Sequence, residues 1–164
     1  MKRLLPIATT VLLTLSLPSV AQGQADITGG PRVGIDAGDD IGEPFIGADV
    51  RIGLSNSRLT INPTFDYYLV DDPLTYWALS TNALYHFGVD NQAFTPYSGA
   101  GLGIYRSSIE DLGGATDLGI NLLFGAEFQT GSVRPFVEAQ YSPVFSDGGT
   151  TSLFTVEGGL LFGL

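Results

Sequence analysis

The chain has 164 residues, enough for one domain with a single core. It carries 17 acidic against seven basic residues, only 15% of its residues are charged, and it has no cysteine. This composition excludes a nucleic-acid binder, which needs a basic surface, and it excludes cysteine-ligated metal sites, thiol enzymes and disulfide scaffolds. The apolar content of 44% argues against disorder.

The N-terminal segment has the pattern of a secretory signal peptide. Lys2 and Arg3 precede an uncharged apolar stretch, and Ser19-Val20-Ala21 supplies small residues where a signal peptidase reads them. We predict a signal peptide over 1–21, with Ala25 as an alternative cut. A transmembrane anchor is the competing interpretation, but the apolar stretch is shorter than the roughly 20 residues of a spanning helix.

Hydrophobicity in the remaining domain, 22–164, alternates with a period of two, which is typical of strands. Between residues 45 and 54, for example, one face is apolar, with Ile46, Ala48, Val50, Ile52 and Leu54. The other face carries Gly47, Asp49, Arg51 and Gly53.

This alternation predicts eight strands in one domain, separated by turn-forming residues. In chain order they cover residues 31–38, 44–55, 58–69, 75–87, 94–106, 116–129, 133–144 and 152–164.

The apolar face is too large for the outside of a soluble barrel, whose large apolar residues lie inside. A lipid-exposed sheet must close, because the bilayer offers no partner for a free backbone group. We therefore predict an all-β fold, a closed eight-stranded antiparallel up-and-down transmembrane β-barrel with a polar lumen.

The connections are expected to alternate in length. With the N-terminus in the periplasm, the outer loops are Gly38–Glu43, Val70–Leu74, Ser107–Ala115 and Phe145–Thr151. The inner turns at Asn56-Ser57 and Thr130-Gly131 are predicted to be tight, and the middle inner connection, Gly88–Gln92, is predicted to be longer. The acidic pairs Asp39-Asp40, Asp71-Asp72 and Glu110-Asp111 fit divalent cations that bridge lipopolysaccharide phosphates, or the general acidity of proteins from a saline habitat.

Aromatic residues are predicted to form two belts at the membrane interfaces. The outer belt comprises Phe45, Tyr67, Trp77, Tyr105, Tyr141 and Phe154. The periplasmic belt comprises Tyr85, Phe87, Phe94, Phe128 and Phe162.

Three stretches resemble one family of membrane proteins, the small eight-stranded outer-membrane barrels that include the OmpA membrane domain and OmpX-like proteins. Thr95–Tyr105 resembles the family's PY-x-GAGLG strand, and Gly125–Phe128 with Arg134–Tyr141 resembles its penultimate hairpin. The C-terminal residues resemble its assembly signal, whose polar, glycine and apolar positions fall on Glu157, Gly159, Phe162 and Leu164.

The resemblance implies several partners and a location. The location is the outer membrane of a Gram-negative-type bacterium. The partners are its lipid and lipopolysaccharide, the barrel-assembly machinery that inserts the chain, and periplasmic chaperones.

The alternation also predicts which polar side chains face the lumen. They are Arg32, Asp36, Asp49, Arg51, Asp66, Asn82, His86, Glu127, Arg134, Glu138 and Glu157. Because buried charges must be paired, we expect an ion-pair network that fills the narrow interior. Acids outnumber arginines in this set, which leaves open a bound cation or a protonated carboxyl.

Turn lengths predict individual pairs. Two-residue turns place Glu127 opposite Arg134, and Asp49 opposite Thr64. Arg32 and Asp49 are expected to meet across the first hairpin.

These features favour a structural outer-membrane protein, a monomer with no cofactor and no metal site. The alternatives are a narrow barrel that binds or transports a solute or cation, and a soluble lipocalin-like barrel. We do not expect an enzyme, because the single histidine, His86, is about 20 Å along its strand from Ser80, too far for a Ser–His couple.

Overall fold

A computed structural model describes residues 26–38, 41–89, 93–109 and 112–164. The predicted signal peptide lies outside the described residues, as do Asp39-Asp40 and Glu110-Asp111. No helix among the described residues is long and apolar enough to cross a membrane.

Eight antiparallel strands form one closed barrel, in which each strand pairs with the next and the last pairs with the first. The strands are β1 Ile27–Asp36, β2 Pro44–Gly53, β3 Leu59–Tyr68, β4 Leu74–His86, β5 Phe94–Ile109, β6 Gly113–Phe128, β7 Val133–Ser146 and β8 Gly149–Gly163. The predicted fold class and strand number are confirmed.

The first strand begins at Ile27, earlier than the predicted residue 31. Gly29 and Gly30 favour a turn by their local preference, yet they pair with β2 in the barrel. Thr28 also pairs with Gly163 of β8. Barrel closure therefore recruits residues whose local preference is for a turn.

The predicted difference in connection length is wrong. At the end that we call the loop mouth, β5 and β6 are joined by residues 110–112, and β7 and β8 by residues 147–148. At the opposite end, the terminal mouth, β2 and β3 are joined by residues 54–58 and β6 and β7 by residues 129–132, which are longer than those two outer connections. The connection of β4 and β5, residues 87–93, is long, as predicted. The strands are longer than their apolar segments because backbone pairing continues through polar residues such as Arg106 and Thr116.

The outward face of the barrel is apolar along every strand. The exposed side chains there include Val33, Ile46, Phe65, Leu79, Leu102, Leu118, Phe124, Val137, Phe145 and Val156. The inward face is mostly polar or charged, as the alternation predicts.

Two members of the predicted outer aromatic belt lie inside the barrel instead. Phe45 and Tyr105 are each only 1% exposed, and they pack in a cluster with Tyr68, Val144 and Leu153 near the loop mouth. Their position near the strand ends suggested a belt. However, Phe45 alternates in step with the inward-facing Asp49, and Tyr105 alternates in step with the inward-facing Gly103. The lumen therefore has an apolar plug at one end.

The Tyr105 ring fits inside the barrel because two paired glycines make room for it. Gly103 on β5 lies directly opposite Gly119 on β6. A Cβ atom at either position would lie 2.7 Å from Cε2 of Tyr105. The ring therefore lies against backbone at both positions, where any side chain would collide with it.

We predict that Gly119→Ala destabilises the barrel by about 1–3 kcal/mol, because the added methyl group forces the Tyr105 ring to move. Gly53→Ala is the matched strand control, since the nearest atom to its Cβ position is at 3.4 Å. Urea unfolding of the folded barrel measures both. Equal effects of the two substitutions would contradict this packing.

Candidate functional site

The structure places the predicted lumen residues in two groups. Eight charged residues are buried, each at most 4% exposed: Arg32, Asp36, Asp49, Arg51, Asp66, Glu127, Glu138 and Glu157. Asn82 is buried with them. His86 and Arg134 lie at the terminal mouth, where their side chains are 20% and 25% exposed.

Arg32 on β1 contacts three carboxylates from three other strands. Its Nη2 is 2.6 Å from Oε2 of Glu157, its Nε is 2.9 Å from Oδ1 of Asp66, and its Nη1 is 3.7 Å from Oδ2 of Asp49. Gly47 lies between Arg32 and Asp66 in the sheet, paired with both. The absence of a side chain at Gly47 lets strands β1 and β3 interact across β2.

Arg51 on β2 organises a second group of contacts. Its Nη1 lies 2.5 Å from Oε1 of Glu127, its Nε 3.1 Å from Oδ1 of Asp49, and its Nη2 donates to the Tyr97 hydroxyl at 3.1 Å. The guanidinium lies 4.7 Å from the Tyr97 ring centroid and 4.4 Å from that of Phe136. The two rings shield the cation while the carboxylates neutralise it.

Asp49 joins the two arginine groups, because its carboxylate contacts both Arg32 and Arg51. It also accepts a hydrogen bond of 2.9 Å from Nδ2 of Asn62. The register places Asp49 opposite Thr64, as predicted. Asp49 is fully buried, and its contacts with both arginines make it the centre of the network.

The predicted pairing of Glu127 with Arg134 is wrong by two residues. Glu127 lies opposite Phe136, because residues 129–132 form a longer connection than the predicted two-residue turn. The two side chains still approach, with 3.9 Å between Nη1 of Arg134 and Oε2 of Glu127. The shorter contact of Arg134, 3.0 Å, is with Asp26 at the rim.

A row of asparagines extends the network across the lumen. Asn82 donates to Asn62 at 3.4 Å, and Asn121 donates to Asn82 at 3.0 Å. Gly101 lies between Asn82 and Asn121 in the sheet, paired with both, so it leaves the space through which they meet. The Tyr105 hydroxyl completes the row by donating to Asn121 at 2.7 Å.

The sequence reasoning did not single out Asn121, Tyr97 or Phe136 as interior groups. The signal was present for Asn121 and Phe136, which have the inward parity of Glu127 and Arg134 on their own strands. Tyr97 lies on a strand for which no lumen residue was predicted.

Asp36 lies inside the barrel but serves a different purpose from the other acids. Its carboxylate accepts hydrogen bonds from the backbone N–H groups of Gly38, Ile41, Gly42 and Phe154, at 3.0–3.3 Å. It therefore fixes the β1–β2 connection against β8 at the loop mouth.

His86 lies beside a carboxylate and an aromatic ring. Its Nε2 is 3.3 Å from Oε1 of Glu127, and its ring centroid is 5.4 Å from that of Tyr97. These contacts place the imidazole within the polar network at the terminal mouth.

Two open cavities occupy the ends of the barrel. The cavity at the terminal mouth has a volume of about 430 Å³, and that at the loop mouth about 440 Å³. Asp49 and the asparagine row line neither cavity. Within the described part of the chain, no group of three or more acidic or histidine side chains is arranged to hold a metal ion.

Neither a protein-family model nor a curated protein matches the sequence. Solved structures do match the fold. Neisserial surface protein A (NspA) superposes with a TM-score of 0.62 at 13% identity, covering 85% of this chain and 96% of that one. The N-terminal β-barrel domain of Pseudomonas aeruginosa OprF superposes with a TM-score of 0.61 at 19% identity, covering 86% and 100%.

A third match is the Yersinia pestis outer membrane protein Ail in a phospholipid bilayer nanodisc. It has a TM-score of 0.51 at 13% identity, and the alignment covers 85% of this chain and 100% of that one. The chain thus has the fold of the small eight-stranded outer-membrane barrels.

We predict that Arg51→Ala destabilises the barrel by about 3–5 kcal/mol, because it removes the nearest arginine from both Asp49 and Glu127 inside the barrel. Arg106→Ala is the control, since Arg106 makes a single exposed hydrogen bond to Thr116. It should change stability by less than about 0.5 kcal/mol. Urea unfolding measures both, and a mild effect of Arg51→Ala would argue against the network.

We further predict that Asp36→Ala frees the β1–β2 connection, because four backbone N–H groups lose their acceptor. Limited proteolysis should then cut the connection near Gly42 much faster than in the parent protein. Asp72→Ala, in the β3–β4 connection, serves as control. Unchanged cleavage in Asp36→Ala would show that the carboxylate does not hold the connection.

Proposed function

We propose that the protein is a structural outer-membrane β-barrel, with a lumen closed by its own side chains, that supports envelope integrity or surface interaction. The observation that carries the proposal is the arrangement of a closed barrel that is apolar outside and ionic inside. Bilayer-spanning barrels need both properties.

The distribution of side chains argues against a soluble lipocalin-like barrel. Such a barrel would hold apolar residues around its ligand and expose its charges to water. Here Leu102, Leu118 and Phe124 point outward from the middles of β5 and β6, whereas Arg32 and Asp49 are buried. Water outside would face an apolar surface that spans all eight strands, and lipid is the better solvent for it.

The strand order and the last strand support a proposal for the orientation and the assembly of the barrel. We place the N-terminus and the terminal mouth in the periplasm, with the loop mouth outside. Glu157 and Gly159 face inward on β8, while Phe162 faces outward. With Leu164, they form the segment that we propose the barrel-assembly machinery recognises, after delivery by periplasmic chaperones.

The filled lumen favours a structural role over transport or catalysis. The ion pairs of Arg32 and Arg51 reach carboxylates on β2, β3, β6, β7 and β8, so side chains occupy the middle of the barrel. We propose that the partners of the barrel are outer-membrane lipid and lipopolysaccharide, and that it works as a monomer.

Gel mobility of the outer-membrane fraction tests the location and the closed fold together. In SDS, the unboiled barrel should migrate differently from the boiled chain, because a closed membrane barrel resists unfolding until it is heated. A single boiled-like band in the soluble periplasm would sink the membrane assignment.

Two substitutions test whether the outward face of the barrel contacts lipid or water. Leu102→Arg places a cation in the middle of β5, where it should cost about 2–4 kcal/mol if the surface faces lipid. Leu112→Arg is the matched control, since Leu112 is 82% exposed in the β5–β6 connection. Unfolding from lipid vesicles measures both, and equal, small effects would indicate that Leu102 faces water.

Planar-bilayer recording tests whether the lumen is closed. The parent barrel should show no steady conductance, because the Arg32 and Arg51 groups occupy its cross-section. A stable open level would favour the alternative of a narrow transport barrel.

A further inference from the structure

Two glutamates face each other inside the barrel. Glu138 on β7 and Glu157 on β8 are directly opposite in the register, and both point inward. They are 2% and 4% exposed, so neither is solvated by bulk water. Side chains directly opposite on adjacent antiparallel strands have Cβ atoms about 5 Å apart, and like charges at such positions repel.

The two carboxyl groups differ in their partners. Oε2 of Glu157 contacts Nη2 of Arg32 at 2.6 Å, while its Oε1 has no hydrogen-bond partner. Neither oxygen of Glu138 accepts a hydrogen bond from a cationic side chain among the described residues. The nearest cationic atom to Glu138, Nη2 of Arg51, is 3.9 Å away and is directed at other groups.

The surrounding charges do not neutralise the pair. Five carboxylates occupy the interior network, on Asp49, Asp66, Glu127, Glu138 and Glu157. Of the arginines that the structure describes, two are buried among them, Arg32 and Arg51. A second, unpaired negative charge beside Glu157 in this enclosed space would be strongly destabilising.

Groups from the other strands do not change this balance. Tyr97 on β5 accepts a hydrogen bond from Nη2 of Arg51 through its hydroxyl and supplies no cation to Glu138. His86 on β4 and Arg134 on β7 contact Glu127, on the side toward the terminal mouth. Asp66 on β3 adds a further negative charge, held by Arg32.

We propose that Glu138 and Glu157 form a proton-binding site in the lumen, in which one proton resides on Glu138 and its O–H donates to Oε1 of Glu157. One hydrogen bond then satisfies an oxygen on each side and removes one buried negative charge. A proton fits better than a metal ion, since the described side chains form no cluster of three or more ligands with metal-site geometry. The shared proton thereby reduces the excess of negative charge in the filled lumen.

Glu138→Gln tests the proposal because glutamine has the shape of a protonated glutamate and keeps a donor for Glu157. At neutral pH its unfolding equilibrium constant should stay within about threefold of the parent value. Glu127→Gln is the matched control, because that carboxylate is paired with Arg51 at 2.5 Å. It should raise the unfolding constant at least about tenfold.

Infrared spectroscopy of the folded barrel detects the proton directly. The parent protein at neutral pH should show a protonated-carboxyl C=O band that shifts on labelling glutamate with ¹³C. The band should persist in Glu127→Gln and disappear in Glu138→Gln. A parent spectrum without the band would falsify the proposal, as would a Glu138→Gln protein that fails to fold or is as unstable as Glu127→Gln.

Discussion

The backbone hydrogen bonds between β1 and β8 are the constraint on which the rest of this structure depends. Pairs such as Thr28 with Gly163 and Arg32 with Gly159 close the sheet on itself. Once the sheet is closed, every strand residue points either into an enclosed interior or out to the surroundings, because side chains alternate along a strand. An eight-stranded interior is only wide enough to be filled by side chains. Closure therefore places the charged side chains in the interior, where each one needs partners of opposite charge.

The charged side chains enclosed in the interior form ion pairs with residues that are distant in sequence. Asp49 contacts Arg32 and Arg51, and through them it connects to Glu157 on β8 and to Glu127 on β6, across the barrel. Each arginine faces more than one carboxylate, so removing either partner leaves a charge without compensation. The network supports the closed shape, and the closed shape in turn excludes the water that would otherwise weaken each ion pair.

Glycines on the inward face determine which side chains can touch. Gly47 lets Arg32 reach Asp66 across β2, and Gly101 lets Asn82 reach Asn121 across β5. In both rows, contact occurs between strands that are not adjacent. The glycines in this lumen therefore act mainly as space for their neighbours, not as turns. The same reasoning explains the ring of Tyr105 against Gly103 and Gly119.

The sequence by itself determined the fold class, the number of strands and the parity of the polar face, because a period of two is a local property that is legible in each segment. It also determined the Asp49–Thr64 register, since a tight turn sets the pairing of its own hairpin. The tertiary structure alone decided the offset between Glu127 and Arg134 and the backbone role of Asp36. Those outcomes depend on connection geometry and on contacts across the closed barrel. Local alternation carries no information about which side chains meet through the lumen, so the opposed pair of Glu138 and Glu157 emerged only from the register of β7 and β8.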